Sequence, residues 1–152
     1  MITQSSHIRW PGTAAVATAI TALAIGCSGP ANVGTVTGVV TLDGQPLPEA
    51  SVTFQPQHGS PSAGTTDSSG RYELRYTRSM KGAVVGEHAV AISTYKSGAP
   101  DADPPIERRP EQVPPKYNRS TELTATVGPR ANQIDFSLEA SGKVPQPKPG
   151  EY

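Results

Sequence analysis

At 152 residues the chain has room for one domain, which would bury roughly two-thirds of its unfolded surface and so needs neither metal nor disulfide staples. Lys and Arg (13) balance Asp and Glu (13) and are scattered, which excludes a charge-driven grip on nucleic acid and gives no sign of one on acidic lipid; the one cysteine, Cys27, excludes an intrachain disulfide. Pro (16) and Gly (15) make up about a fifth of the chain, a level that fits a turn-rich all-β protein rather than wholesale disorder.

Residues 1–12 carry His7, Arg9 and the amino terminus, and the uncharged run from Thr13 to Ile25 follows. That order is a positive n-region and an apolar h-region. The run is about 13 residues, whereas a helix crossing a bilayer takes roughly 20. A permanent transmembrane anchor is therefore not expected. Leu23-Ala24-Ile25-Gly26-Cys27 then resembles a lipobox, the signal-peptidase recognition sequence of bacterial lipoproteins. The resemblance implies that the Cys27 sulfur receives a diacylglyceryl group, that cleavage falls before it, and that the new amino terminus is acylated, so that palmitate should label the protein. Gly26 supplies the small residue that this chemistry needs. The sequence departs at Ala24, where a large aliphatic residue is preferred, and carries Leu23 one place further out. An ordinary secretory signal with an unrelated cysteine is the alternative. Acyl chains contribute about 0.8 kcal/mol per buried methylene, enough to anchor the chain without a membrane-facing protein surface. The location implied is the bacterial cell envelope, periplasmic or surface-facing, and Ser28 resembles a pattern associated with outer-membrane sorting.

The expected organisation is a signal peptide over 1–26, a tether over 27–34, a β-sandwich over 35–140 and a flexible tail over 141–152. In the sandwich, Val36, Val40 and Leu42 alternate with Thr35, Thr37 and Thr41, a period of two built from β-branched residues. Asp43-Gly44 closes that strand. Ala50, Val52 and Phe54 form the inward face of a second strand, expected to stop at Pro56 because proline cannot donate to a ladder. Residues 57–64 read as loop, with a short strand at Thr65-Thr66. Asp67-Ser68-Ser69-Gly70 reads as a turn, the aspartate bonding its own backbone and Gly70 taking positive φ. Tyr72, Leu74 and Tyr76 then alternate with charges. After a connection over 80–86, the segment 88–94 is a strand with Val90 and Ile92 inward and a small, nearly uncharged outer face. Residues 96–120 lack any period and hold six prolines, an uncommon structureless connection of the kind that carries function. Segments 123–127 and 134–139 look like a terminal hairpin. About seven strands with turns between them indicate an all-β immunoglobulin-like or transthyretin-like sandwich. The Cys-Trp-Cys pattern of antibody domains is absent.

Gly38-Val39-Val40-Thr41-Leu42-Asp43-Gly44-Gln45-Pro46-Leu47, Ala50-Ser51-Val52-Thr53-Phe54 and Thr66-Asp67-Ser68-Ser69-Gly70-Arg71-Tyr72-Glu73-Leu74 together resemble the carboxypeptidase regulatory-like domain family. Gly86-Glu87-His88-Ala89-Val90-Ala91-Ile92, Pro115-Lys116-Tyr117 and Phe136-Ser137-Leu138 are similar to its lipoprotein members in planctomycete-type bacteria. The resemblance spans about residues 35–140 and implies the sandwich fold. It implies a non-catalytic accessory role and no specific activity.

Candidate chemistry is sparse. His58 and His88 are far apart in sequence and do not make a metal site; His88, beside Glu87, reads as a strand-end residue bonded to a neighbour. Asp67 to Gly70 lacks the downstream bidentate Glu of a calcium loop, and Asp101, Asp103 and Glu107 form a somewhat better oxygen cluster among prolines. No Gly-x-Ser-x-Gly elbow appears. Asn118-Arg119-Ser120 matches a glycosylation acceptor pattern. The expectation is a non-enzymatic envelope lipoprotein without catalytic residues, metal or cofactor, displaying a structural or protein-interaction module. Its partners would be the membrane, through lipid on Cys27, and an envelope protein. The alternative is binding of a glycan or other extracellular ligand by the 96–120 loop, with Tyr95, Pro115, Lys116 and Tyr117 as contact residues.

Overall fold

The alternating segments become strands in a computed structural model that describes residues 32–141. The described chain is all-β, with eleven short strands and one 3-10 turn. Cys27 and residues 23–26 lie outside the described residues, as does most of the expected tail.

Strand β1 (Val33–Gly34) pairs antiparallel with β7 (Ala83–Val84), so the end of the expected tether is a two-residue ribbon on the domain. Strand β2 (Val36–Leu42) is the spine of the first sheet. On one side it pairs antiparallel with β6 (Arg71–Glu73) and, through a tight turn, with β3 (Gln45–Pro46). Asp43 (φ 50°) and Gly44 (φ 77°) both lie in the left-handed region. That is the geometry of a two-residue hairpin turn, for which Asp-Gly is a preferred pair. On its other side β2 pairs parallel with β10 (Asn132–Gln133) and β11 (Phe136–Leu138).

The second sheet runs in the order β5 (Ser62–Thr65), β4 (Ser51–Pro56), β8 (Gly86–Ser93), β9 (Thr124–Val127), all antiparallel. The terminal hairpin read from the sequence is corrected here. Strand β9 edges the second sheet beside β8, whereas β10 and β11 cross over to lie along β2. Two boundaries also shift. Pro56 occupies the last position of β4, where its missing N–H costs little, and β5 begins at Ser62, inside the expected loop.

The inward residues of the two sheets fill the space between them. Val36, Val40, Leu74 and Leu138 from one side meet Val52, Val90, Ile92 and Val127 from the other, all buried. Phe54 sits at the centre, its ring 6.5 Å from Tyr72, 6.1 Å from Phe136 and 5.6 Å from His88. His88 is thus a buried core residue inside β8 rather than a strand-end one. Its Nε2 lies 2.7 Å from the Val84 carbonyl, the neighbour that it bonds.

Strand registers fix two ends of the sandwich. Strands β2 and β8 both start at the end that carries the β1–β7 ribbon, where the Val85 N–H donates to the Asn32 carbonyl (2.8 Å). Both finish at the opposite, distal end, where Ser93 pairs with Ser51 and Leu138 with Leu42.

Candidate functional site

At the distal end the chain leaves β8 and is caught at once by a carboxylate. Glu111 is buried (4 % exposed). Its Oε1 accepts from the Thr94 N–H (2.9 Å), the Thr94 hydroxyl (2.8 Å) and the N–H groups of Gln112 (3.0 Å) and Val113 (3.1 Å), and its Oε2 accepts from the Ser93 hydroxyl. Five donors saturate the roughly four lone-pair positions of one carboxylate, so Glu111 is committed to holding the chain. The Thr94 hydroxyl in turn accepts from the Gln112 N–H (2.8 Å).

The residues between Thr94 and Glu111 form an arm rather than the structureless connection expected. Lys96 and Arg109 exchange both backbone hydrogen bonds (3.1 Å each), and Ala99 and Ile106 do the same (2.8 and 3.0 Å). The arm is fastened to the sandwich through Glu49, whose Oε2 lies 3.0 Å from Lys96 Nζ and also pairs with Arg109. The hydrogen bond from Lys96, then the charge of Arg109, holds the Glu49 carboxyl below its ordinary pKa. Beyond the arm, a 3-10 turn (Pro115–Tyr117) leads to Asn118, whose side-chain amide donates to the Val113 carbonyl (3.0 Å). The Thr121 hydroxyl then donates to the Val90 carbonyl, returning the chain to the second sheet.

Between arm and sheet lies a groove of ≈ 940 Å³. Its floor is the outer face of β4 and β8, with Ser51, Thr53, Ala91 and Ser93; its walls are Tyr95 to Ala99 and Ile106, with Asn118 and Arg119 closing one end. The floor is built of small side chains because the arm lies over it. Ile106, half exposed at 50 %, adds an apolar face, and Arg119 brings the guanidinium. Hydroxyls, a tyrosine, an isoleucine and two cations, Lys96 and Arg119, suit binding; Lys96 is also paired with Glu49, and the Ser93 hydroxyl in the floor is already spent on Glu111.

The structure divides the residues singled out in the sequence. Tyr95 lines the groove. Pro115, Lys116 and Tyr117 do not: they make the 3-10 turn, with Tyr117 packed against the core and its hydroxyl accepting from the Glu139 N–H (3.3 Å). Lys116 Nζ stands 4.8 Å over the Tyr117 ring, and its hydrogen bond to Tyr117 raises the ammonium's pKa. Asp67 closes its turn as expected, accepting from the N–H groups of Ser69 (2.8 Å) and Arg71 (3.0 Å). Asp101, Asp103 and Glu107 are exposed on the arm, and among the described residues no three metal-ligating side chains converge. Asn118 is buried (8 % exposed), so the acceptor pattern at 118–120 presents no free amide. Sequence reasoning missed Glu111, Glu49 and the floor. The small, uncharged outer face of residues 88–94 was the signal available for the last.

Among the described residues no helix is long and apolar enough to cross a membrane. No known family matches the chain, and no curated protein does. One solved structure similar to it is a DUF3823 family protein from Parabacteroides merdae, at 13 % identity and a TM-score of 0.39; the alignment covers 72 % of this chain and 47 % of that one, about half its length.

Proposed function

We propose that this chain is a non-enzymatic lipoprotein of the bacterial envelope, anchored through lipid on Cys27, whose carboxypeptidase regulatory-like sandwich serves as a protein-interaction module. The observation that supports this reading is the opposition of the two ends. Cys27 precedes Val33 by six residues, a reach of at most about 20 Å fully extended. Val33 is stitched into the sandwich at one end, and the groove beside Tyr95 lies on the outer face of β4 and β8 toward the other. A lipid on Cys27 would hold the first end at the bilayer and turn the groove away from it. The groove's mixed lining fits a peptide segment with an apolar side chain against Ile106 and a carboxylate near Arg119.

Radiolabelled palmitate should enter the wild-type protein and not Cys27→Ser; no label in the wild type refutes the anchor. A photocrosslinker at Ile106 should trap one stable envelope protein in intact cells, and Arg119→Glu should abolish that product. The hydroxyls of the floor together with Tyr95 favour a glycan as the second reading. It replaces the first if a glycan array responds and the crosslinker traps nothing.

A further inference from the structure

We infer that the ribbon end of the sandwich is a second, electrostatic contact for an anionic lipid bilayer, formed by Arg75, Arg78, Lys81 and Arg130 around the exposed Met80. Arg75, Arg78 and Lys81 fall within seven residues of sequence; folding brings the Arg130 backbone up to the same point of the tether. The loop from Leu74 to Gly82 turns back on itself through the Tyr76 N–H to Met80 carbonyl bond (2.9 Å) and ends against the tether. A Cβ on Gly82 would lie 2.1 Å from the Gly34 carbonyl oxygen, so loop and tether backbones touch. The 128–131 loop closes on the same point, since a Cβ on Gly34 would lie 2.0 Å from the Gly128 carbonyl oxygen and 2.9 Å from that of Arg130.

No ion pair among the described residues engages Arg75, Arg78 or Arg130; Lys81 holds Glu73 (2.9 Å). Glu87 is the other acid near this end. The ribbon end thus carries four bases against Glu73 and Glu87, a local excess of positive charge in a chain with no formal net charge, whereas at the distal end Lys96 and Arg109 are paired with Glu49. Met80, 40 % exposed where the turn of the loop closes on Thr77, is an unbranched apolar side chain suited to the headgroup boundary. Each Lys or Arg near an anionic surface strengthens partitioning roughly five-fold, within a Debye length of about 10 Å at 0.1 M salt.

The direction of approach rests on the reading of Cys27 as a lipid anchor; the contact itself is tested without the lipid. The full chain carrying Cys27→Ser is sedimented with vesicles of phosphatidylcholine alone or with 30 % phosphatidylglycerol. The apolar segment 13–25 contributes equally to every variant, so the readout is the gain due to phosphatidylglycerol. We expect Arg75→Gln/Arg78→Gln to lower that gain roughly 10- to 30-fold, and 0.5 M NaCl to remove it. Arg108→Gln/Lys116→Gln, with the same charge loss elsewhere, should leave it unchanged. Amide exchange at residues 75–81 should slow on the anionic vesicles. Equal losses in both double variants, no dependence on phosphatidylglycerol, or unaltered exchange overturns the proposal. Mass analysis of the amino-terminal peptide from cells, read separately, decides the Cys27 anchor alone.

Discussion

Tyr72 joins the two parts of the first sheet through a single oxygen. Its hydroxyl donates to the Ile134 carbonyl (2.7 Å), which leans in over Gly38, where a Cβ would lie 1.8 Å from that oxygen. One residue on, Asp135 Oδ1 replaces a missing ladder partner by accepting the Val39 N–H (2.8 Å). Burial first, and then the Asp135 charge, holds the Tyr72 phenol well above its ordinary pKa. A raised folded pKa contributes stability that is fully present below the unfolded value near 10 and is lost as pH rises. Tyr72→Phe should therefore cost about 1–2 kcal/mol at pH 8, and the gap to wild type should narrow above pH 10 in urea melts taken across that range. Glu111 is the second residue on which much depends. Glu111→Ala strands several buried donors at once, and a loss of about 3 kcal/mol is expected. Glu111→Gln keeps one acceptor oxygen and should lose less in the same melts.

The arm is the element most exposed to solution conditions, because the charged fastening at Glu49 lies at the surface. The Glu49 pKa is lowered, so its pairing with Lys96 and Arg109 is intact above the ordinary carboxylate range and is lost as pH falls through the depressed value. NMR shifts of the Lys96 and Arg109 amides should move together as pH falls below the ordinary carboxylate range, and Glu49→Gln should show the released shifts at every pH. Strand identity was largely legible in the sequence, since the alternations at 36–42, 50–55 and 88–94 all became strands with the expected faces inward. Strand partners were not. The short link from Gly128 to Ala131 serves a hairpin or a crossing between sheets equally well, and period two says which face is buried without saying beside which strand. The groove was half legible. Tyr95 could be named from its place beside the proline-rich segment, whereas the floor needs the pairing of Ser51 with Ser93, 42 positions away, and Glu111 looks in sequence like one more solvated charge.

At the scale of the whole molecule, the pairing of β1 with β7 fixes the end at which the chain enters the sandwich. The tether enters at the ribbon end because β1 is held there, and what holds it is close backbone contact rather than side-chain area. Gly34 is buried against Gly128 and Arg130, and Gly82, at φ 108°, leaves room for the Gly34 carbonyl. A side chain at either position must push the ribbon off, while the core around Phe54 draws nothing from β1 itself. Gly34→Val should therefore act locally. Overpacking of this kind costs about 1–3 kcal/mol, and the cost should fall on the ribbon, since releasing β1 relieves the clash. We expect the variant to stay folded, with near-native circular dichroism and a modestly lower Tm. Protease cleavage between Asn32 and Thr35 should be much faster than in the wild type. If cleavage is unchanged and the whole domain unfolds instead, the ribbon belongs to the core, and the tether joins the sandwich more firmly than two residue pairs imply.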